Sequence, residues 1–284
     1  NESDELNINS FQEENMSPVR MIAIDLDDTL LHDDISVSDY TKDVLYRTME
    51  KGIPIVIATG RMFQAARPWG KAIGLGDVPL ICYTGAFVGM CESGKVLRHI
   101  TLPLELAQSV LDTGREHGWY MHTYIDDEVY MPFRDERTGI YEKQCGIKAR
   151  VTGDDFWKLK KEPTKILVFD YDKKVMKEAE TVLSEKYGAL TNQVKSKPEF
   201  FEINTKGVSK GSALSELCKS WNIPEESLMT IGNGDNDISM FNLTPWSFAV
   251  ENGHASAKAA AKFITDSNNN DGVAKAIEKY VLGG

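Results

Sequence analysis

The chain has 284 residues, 42% of them hydrophobic and 26% charged, enough for one large domain or two modest ones around a real core. A formal net charge of −11 argues against nucleic acid or an anionic membrane as main partner, since both reward a basic surface. An anionic substrate stays open, because one cation site can reverse the local field.

No apolar run approaches the length that spans a bilayer, and no basic-then-apolar secretory pattern opens the sequence. The four cysteines, Cys82, Cys91, Cys145 and Cys218, show no CxxC pairing and read as reduced thiols of a cytoplasmic protein. Residues 1–20 are polar and acidic without periodicity, and read as a disordered tail or a leader.

The first element is "IAIDLDDTLL", a buried strand running into Asp25, Asp27 and Asp28. Like charges beside one another at a strand end are costly, so a partner must offset them. A helix over Asp43–Met49 stops at Gly52, and "IPIVIATGR" reads as a strand buried on both faces. A helix at Phe63–Ile73 and a strand in "PLICYTGA" complete the rhythm of a parallel α/β sheet.

The style then changes. Residues 88–198 read as an inserted α+β unit: "KVLRHI", a helix through Leu106, Val110 and Leu111, "YMHTYI" turning at Asp126-Asp127 into "EVYMP", and "TKILVFD". Within it, Asp170 and Asp172 repeat a DxD spacing but read as a turn before a helix at Val175–Tyr187. From 199 the first style returns, with a helix placing Ala213, Leu214, Leu217, Cys218 and Trp221 on one face, strands "LMTI" and "SFAV", and a closing helix "VAKAIEKYV". The predicted fold is α/β, a Rossmann-like parallel-sheet core over 21–87 and 199–284 with the α+β unit inserted.

Each polar cluster follows an apolar run, and in a parallel sheet such points share the carboxyl edge. Asp25 and Asp27, Thr59 and Gly60, Lys210, and Asn233, Asn236 and Asp237 can therefore converge. One carboxylate can attack phosphorus, and a second can protonate the leaving oxygen and activate water. A magnesium ion suits the carboxylates plus phosphate, and Lys210 offers charge to both.

"DLDDTLL" looks like the DxDxT motif of the haloacid dehalogenase superfamily, and "ATGR", "GVSKGSAL" and "IGNGDNDISMF" resemble its second to fourth motifs in order. The tail "FAVENGHASAKAAAKFITDSNNNDGVAKAIE" resembles the Cof-type branch, which carries a large α+β cap of the C2 type. The resemblance implies a magnesium-dependent phosphatase of small phosphorylated metabolites, often sugar phosphates. It implies Asp25 as nucleophile and Asp27 as general acid/base. It implies Thr59, Gly60, Lys210 and Asn236 as phosphate holders, and Asp25, Asp27 (through its carbonyl) and Asp237 (directly or through water) as the metal shell. Arg61 faces either the active-site mouth or the surface.

Two positions depart from the pattern. Asn233 stands where the family has a metal-binding Asp, so the chain is a working enzyme with weaker metal affinity, a protein that uses Asp235 instead, or an impaired one; the first is favoured. "YTGA" replaces "SNGA" at Thr84-Gly85. Alternatives to the phosphatase are a phosphomutase or phosphotransferase on the same chemistry, and a weakened phosphate- or metal-binding regulator.

The expected partner is a small phosphorylated metabolite, with no nucleic acid and no membrane, and the expected state is a monomer or weak homodimer. The five histidines (His32, His99, His117, His122, His254) lack metal-ligand spacing, with His122 assigned to packing or surface before substrate. Trp119, Tyr120, Tyr124, Tyr130 and Phe133 read as the inserted unit's core.

Overall fold

The computed structural model describes residues 18–283. Most of the expected N-terminal tail lies outside them. Its described end is not a tail: Val19 is buried and the Arg20 amide donates to the Ser227 carbonyl at 2.8 Å.

The chain opens with β1 (Met21–Asp25), α1 (Asp39–Glu50), β2 (Ile55–Ala58), α2 (Phe63–Ile73) and β3 (Pro79–Cys82), then a hairpin of β4 (Phe87–Met90) and β5 (Val96–His99). The middle holds α3 (Leu104–Glu116), β6 (Met121–Ile125), β7 (Glu128–Met131), α4 (Glu136–Cys145), β8 (Arg150–Val151), β9 (Lys165–Phe169), α5 (Lys173–Tyr187), β10 (Thr191–Lys197) and β11 (Phe200–Thr205). It closes with α6 (Lys210–Trp221), β12 (Leu228–Gly232), α7 (Ile238–Phe241), β13 (Trp246–Val250), α8 (Ala255–Ala260), β14 (Phe263–Thr265) and α9 (Gly272–Ile277).

Two sheets result, one of eight strands in the order β14-β13-β12-β1-β2-β3-β4-β5 and one of six in the order β10-β11-β9-β6-β7-β8. The first is parallel from β14 to β3 and antiparallel at β4 and β5. Its central strand is buried on both faces. Ile22 and Ile24 pack with Val44, Leu45 and Ala66 of α1 and α2, while Met21 and Ala23 pack with Ala213, Leu214 and Met240 of α6 and α7. That double burial is why these strands read as unbroken apolar runs. The α/β class read from the sequence holds.

The boundaries at 88 and 198 move. Residues 88–99 belong to the first sheet, where Leu80 pairs with Gly89 and Phe87 with His99. Residues 200–205 belong to the second, where Phe201 pairs with Val168. Alternation reveals a strand but not which sheet edge it joins.

One face of the second sheet packs Met121, Ile166, Val168 and Ile203 under Val110 and Leu111 of α3 and Met176 and Leu183 of α5. The helix α1 begins earlier than expected because Ser38 accepts the Thr41 amide at 3.0 Å. Asp170 and Asp172 form a turn and cap, with Asp172 accepting the Lys174 amide at 2.8 Å.

Candidate active site

Strands β12, β1 and β2 are neighbours, and Asp25 stands beside Ala58 in the register. The residues that follow their carboxyl ends therefore meet. Asp25, Asp27, Thr59, Gly60, Arg61, Asn233 and Asn236 line one cavity of about 180 Å³.

Lys210 and Asp237 lie behind this cavity. The Lys210 ammonium, fully buried at the first turn of α6, donates to Asp25 Oδ1 at 2.6 Å and to Asp237 Oδ1 at 2.7 Å. Asp237 Oδ2 accepts the amides of Asn233 at 2.9 Å and Gly234 at 3.0 Å. Both Asp237 oxygens are thus engaged, and the residue is fully buried. Lys210 thus gives its charge to Asp25, while Asp237 holds Lys210 on one side and the loop of Asn233 and Gly234 on the other. Gly232 makes the arrangement possible, since a Cβ there would lie 2.4 Å from the Asp237 carboxyl carbon.

Burial, and then the Asp237 carboxylate, raise Asp25 to about 7 against the opposing pull of Lys210. Burial alone would lower Lys210, but Asp237 and Asp25 outweigh it and hold the ammonium above its ordinary range. The second Asp25 oxygen accepts the Thr29 hydroxyl at 3.0 Å.

Asp27 is half-buried and clamped by Arg61, whose Nε and Nη2 reach its two oxygens at 2.8 and 2.6 Å. Arg61 therefore faces the cavity, resolving the choice left by the sequence. Thr59 Oγ1 accepts the Arg61 amide at 3.1 Å, and the Thr84 amide donates to the Thr59 carbonyl at 3.1 Å. Thr84 sits at φ 57° with its buried hydroxyl unpartnered, so the backbone of "YTGA" braces the loop and its side chain does not. Asp235 is exposed and bonds Ser256.

The opposite wall comes from the inserted unit. Lys165 and Leu167 of β9, Lys195, Ser196 and Lys197 of β10, Phe200 and Glu202 of β11, and Tyr141 and Gln144 of α4 line the same cavity. A register shift between Lys195 and Lys197 turns three successive β10 residues toward it. None of these was singled out from the sequence as a site residue. The available signal was a lone Lys before "ILVF" and a lone Glu inside "FFEIN".

The model of the haloacid dehalogenase-like hydrolase family matches residues 22–277. The chain belongs to that family. It is similar to the 5-amino-6-(5-phospho-D-ribitylamino)uracil phosphatase YitU of Bacillus subtilis (strain 168), at 26% identity over 92% of this chain and 97% of that protein. It is similar also to the pyridoxal phosphate phosphatase YbhA of Escherichia coli (strain K12), at 25% identity over 93% of this chain and 99% of that protein. The crystal structure of TM0651 from Thermotoga maritima superposes with a TM-score of 0.82 at 29% identity, covering 92% of this chain and 97% of that one. This hydrolase is a phosphatase of the Cof-type branch, as its motifs and relatives indicate together.

Within the hydrolase, Asp25, Asp27 and Asn233 all line the cavity and carry hard oxygens of the kind that magnesium takes. Among the described residues no three His, Cys, Asp or Glu side chains form a metal cage. Magnesium does not require one, since it keeps waters and takes one or two carboxylates plus substrate phosphate. Among the described residues, no helix is long and apolar enough to cross a membrane, and the four cysteines are free.

Proposed function

We propose that this phosphatase hydrolyses phosphomonoesters of small metabolites, sugar phosphates among them, through a phosphorylated Asp25. The observation that carries the reading is Asp25 itself, which ends the central strand, lines the cavity and is held from behind by a buried lysine. An Asp25 oxygen attacks phosphorus as the ester oxygen leaves with a proton from Asp27. Asp27 then takes a proton from water, whose oxygen attacks phosphorus and breaks the bond to Asp25, giving inorganic phosphate. Transfer of the Arg61 guanidinium from Asp27 to a substrate oxygen frees Asp27 for both steps.

Thr59, Gly60 and Asn236 hold the phosphate, and Lys210 fixes Asp25. Asp25, Asp27 and Asn233 would hold magnesium, which supplies positive charge against the phosphate oxygens. The inserted unit serves as a cap that excludes water and reads the leaving group. The relatives named above act on a phosphorylated ribitylamino compound and on pyridoxal phosphate, which supports a small metabolite as partner. The free thiols support a reducing, cytoplasmic setting.

The test is phosphate release from sugar phosphates, nucleotides and p-nitrophenyl phosphate across a magnesium titration. Magnesium-dependent release from sugar phosphates supports the reading. Silence with every ester contradicts it.

A further inference from the structure

Two opposite charges stand on the cavity wall that the inserted unit supplies. Lys165 and Glu202 are 3% and 4% exposed, yet both line the cavity. They are diagonal neighbours, since Glu202 pairs with Leu167, two residues from Lys165 on the same face of β9. The Lys165 ammonium lies 3.3 Å from Glu202 Oε2 in an orientation that makes no hydrogen bond. It donates instead to the Gly60 carbonyl at 3.2 Å and stands 4.7 Å from the centre of the Tyr124 ring.

Glu202 Oε1 accepts the Ser196 hydroxyl at 2.7 Å. Glu202 Oε2 is buried without any hydrogen-bond partner. A buried carboxylate oxygen left without a donor is costly, and native proteins seldom keep one without a use. Its neighbourhood on the cavity says what would satisfy it. A donor from the ligand must come to Oε2, while Lys165, diagonally across on β9, offers protons to an acceptor. A second anion on the ligand would meet the Glu202 charge. An apolar group would leave Glu202 Oε2 without a hydrogen-bond donor. A hydroxyl donates to one and accepts from the other, and two hydroxyls on adjacent carbons span the pair.

We propose that Lys165 and Glu202 form a hydroxyl-reading subsite that selects phosphate esters of polyols, open-chain or cyclic, over esters of apolar alcohols. This rests on the phosphatase reading above. The phosphate sits at Asp25 on the floor, and the leaving group's hydroxyls reach the pair on the opposite wall. Lys165 also touches Gly60, so a ligand that engages it is registered against the loop carrying Thr59 and Arg61. Lys195 takes no part, because its ammonium turns to Glu180 at 2.5 Å.

The experiment compares kcat/KM for a pentitol phosphate with kcat/KM for pentyl phosphate, in the wild type, Glu202→Gln and Lys165→Met. The wild type should favour the pentitol ester by tenfold or more, and each substitution should lower that ratio by roughly tenfold or more. Glu202→Gln keeps the shape of the side chain, and thermal melting verifies that each variant folds. A ratio left unchanged while both rates fall together makes the pair structural and overturns the subsite. A wild type with no preference also overturns it. Phosphate release from p-nitrophenyl phosphate, which has no hydroxyl, separates the two levels. Release with an unaltered ratio overturns the subsite alone, whereas no release from any ester overturns the phosphatase reading and the subsite with it.

Discussion

The Asp127 carboxylate, at the tip of the turn between β6 and β7, accepts the Phe63 backbone amide at 2.9 Å. The Tyr83 hydroxyl donates to that same oxygen, Oδ1, at 2.7 Å, and the other oxygen accepts the Gln64 amide at 2.8 Å. Met62, which precedes α2, supplies no capping side chain. The inserted unit therefore caps a helix of the core, close to Thr59, Gly60 and Arg61. Asp127→Ala is expected to lower the unfolding free energy by about 1–2 kcal/mol, read from urea denaturation, and to speed hydrogen exchange at Phe63 and Gln64. Unchanged stability and exchange would contradict the cap.

His122 gives a pH dependence. It is fully buried, its ring nitrogens have no hydrogen-bond partner, and the rings of Tyr120, Tyr141 and Phe169 surround it. It packs the inserted unit and does not line the cavity. Burial, then the charges of Lys165 and Arg137, push its pKa down to about 3 from an ordinary 6.5. The unfolded chain protonates first on acidification. The stability carried by neutral His122 is therefore fully present above about pH 6.5 and is lost as the pH falls toward about 3. At about pH 4 the loss is on the order of 3 kcal/mol. His122→Phe should flatten the stability profile over that window, and an unaltered slope would count against the assignment.

Asn233 sits half-buried on the cavity, its amide donating to Asp237 and its carbonyl accepting the His254 amide at 2.7 Å. Those backbone bonds survive Asn233→Asp, so the substitution adds only charge. Half-saturating magnesium is expected to fall about tenfold for each 1.4 kcal/mol gained. Asp235→Asn should leave it unmoved, because that carboxylate is turned to Ser256. An unchanged magnesium requirement in Asn233→Asp removes Asn233 from the metal shell. A wild type that is silent while this variant turns over makes the natural chain an impaired one.

The motifs at the ends of β1, β2 and β12 were legible because each is a contiguous apolar run followed by polar residues, and the parallel sheet then brings them together. Lys210 was legible as a site residue but not as one hidden behind Asp25, since sequence spacing carries no depth. Asp127 read only as a hairpin turn; its φ of 60° agrees, but its capping of α2 joins residues 64 apart in the chain. The α4 wall was missed because "ERTGIYEKQC" buries only Thr138 and Tyr141 and has a weak apolar stripe. Lys165 and Glu202 were passed over because a charge in a strand ordinarily marks a solvated face, and the cavity that they line exists only once the two sheets face each other.

The most direct measurement is an acid-quenched single turnover with a labelled phosphate ester, followed by peptide mapping, in the wild type and Asp25→Asn. The label is expected on the peptide carrying Asp25, released by hydroxylamine, and Asp25→Asn should show neither label nor turnover while melting as a folded protein. Turnover retained in Asp25→Asn, or label on another residue, would contradict Asp25 as the nucleophile.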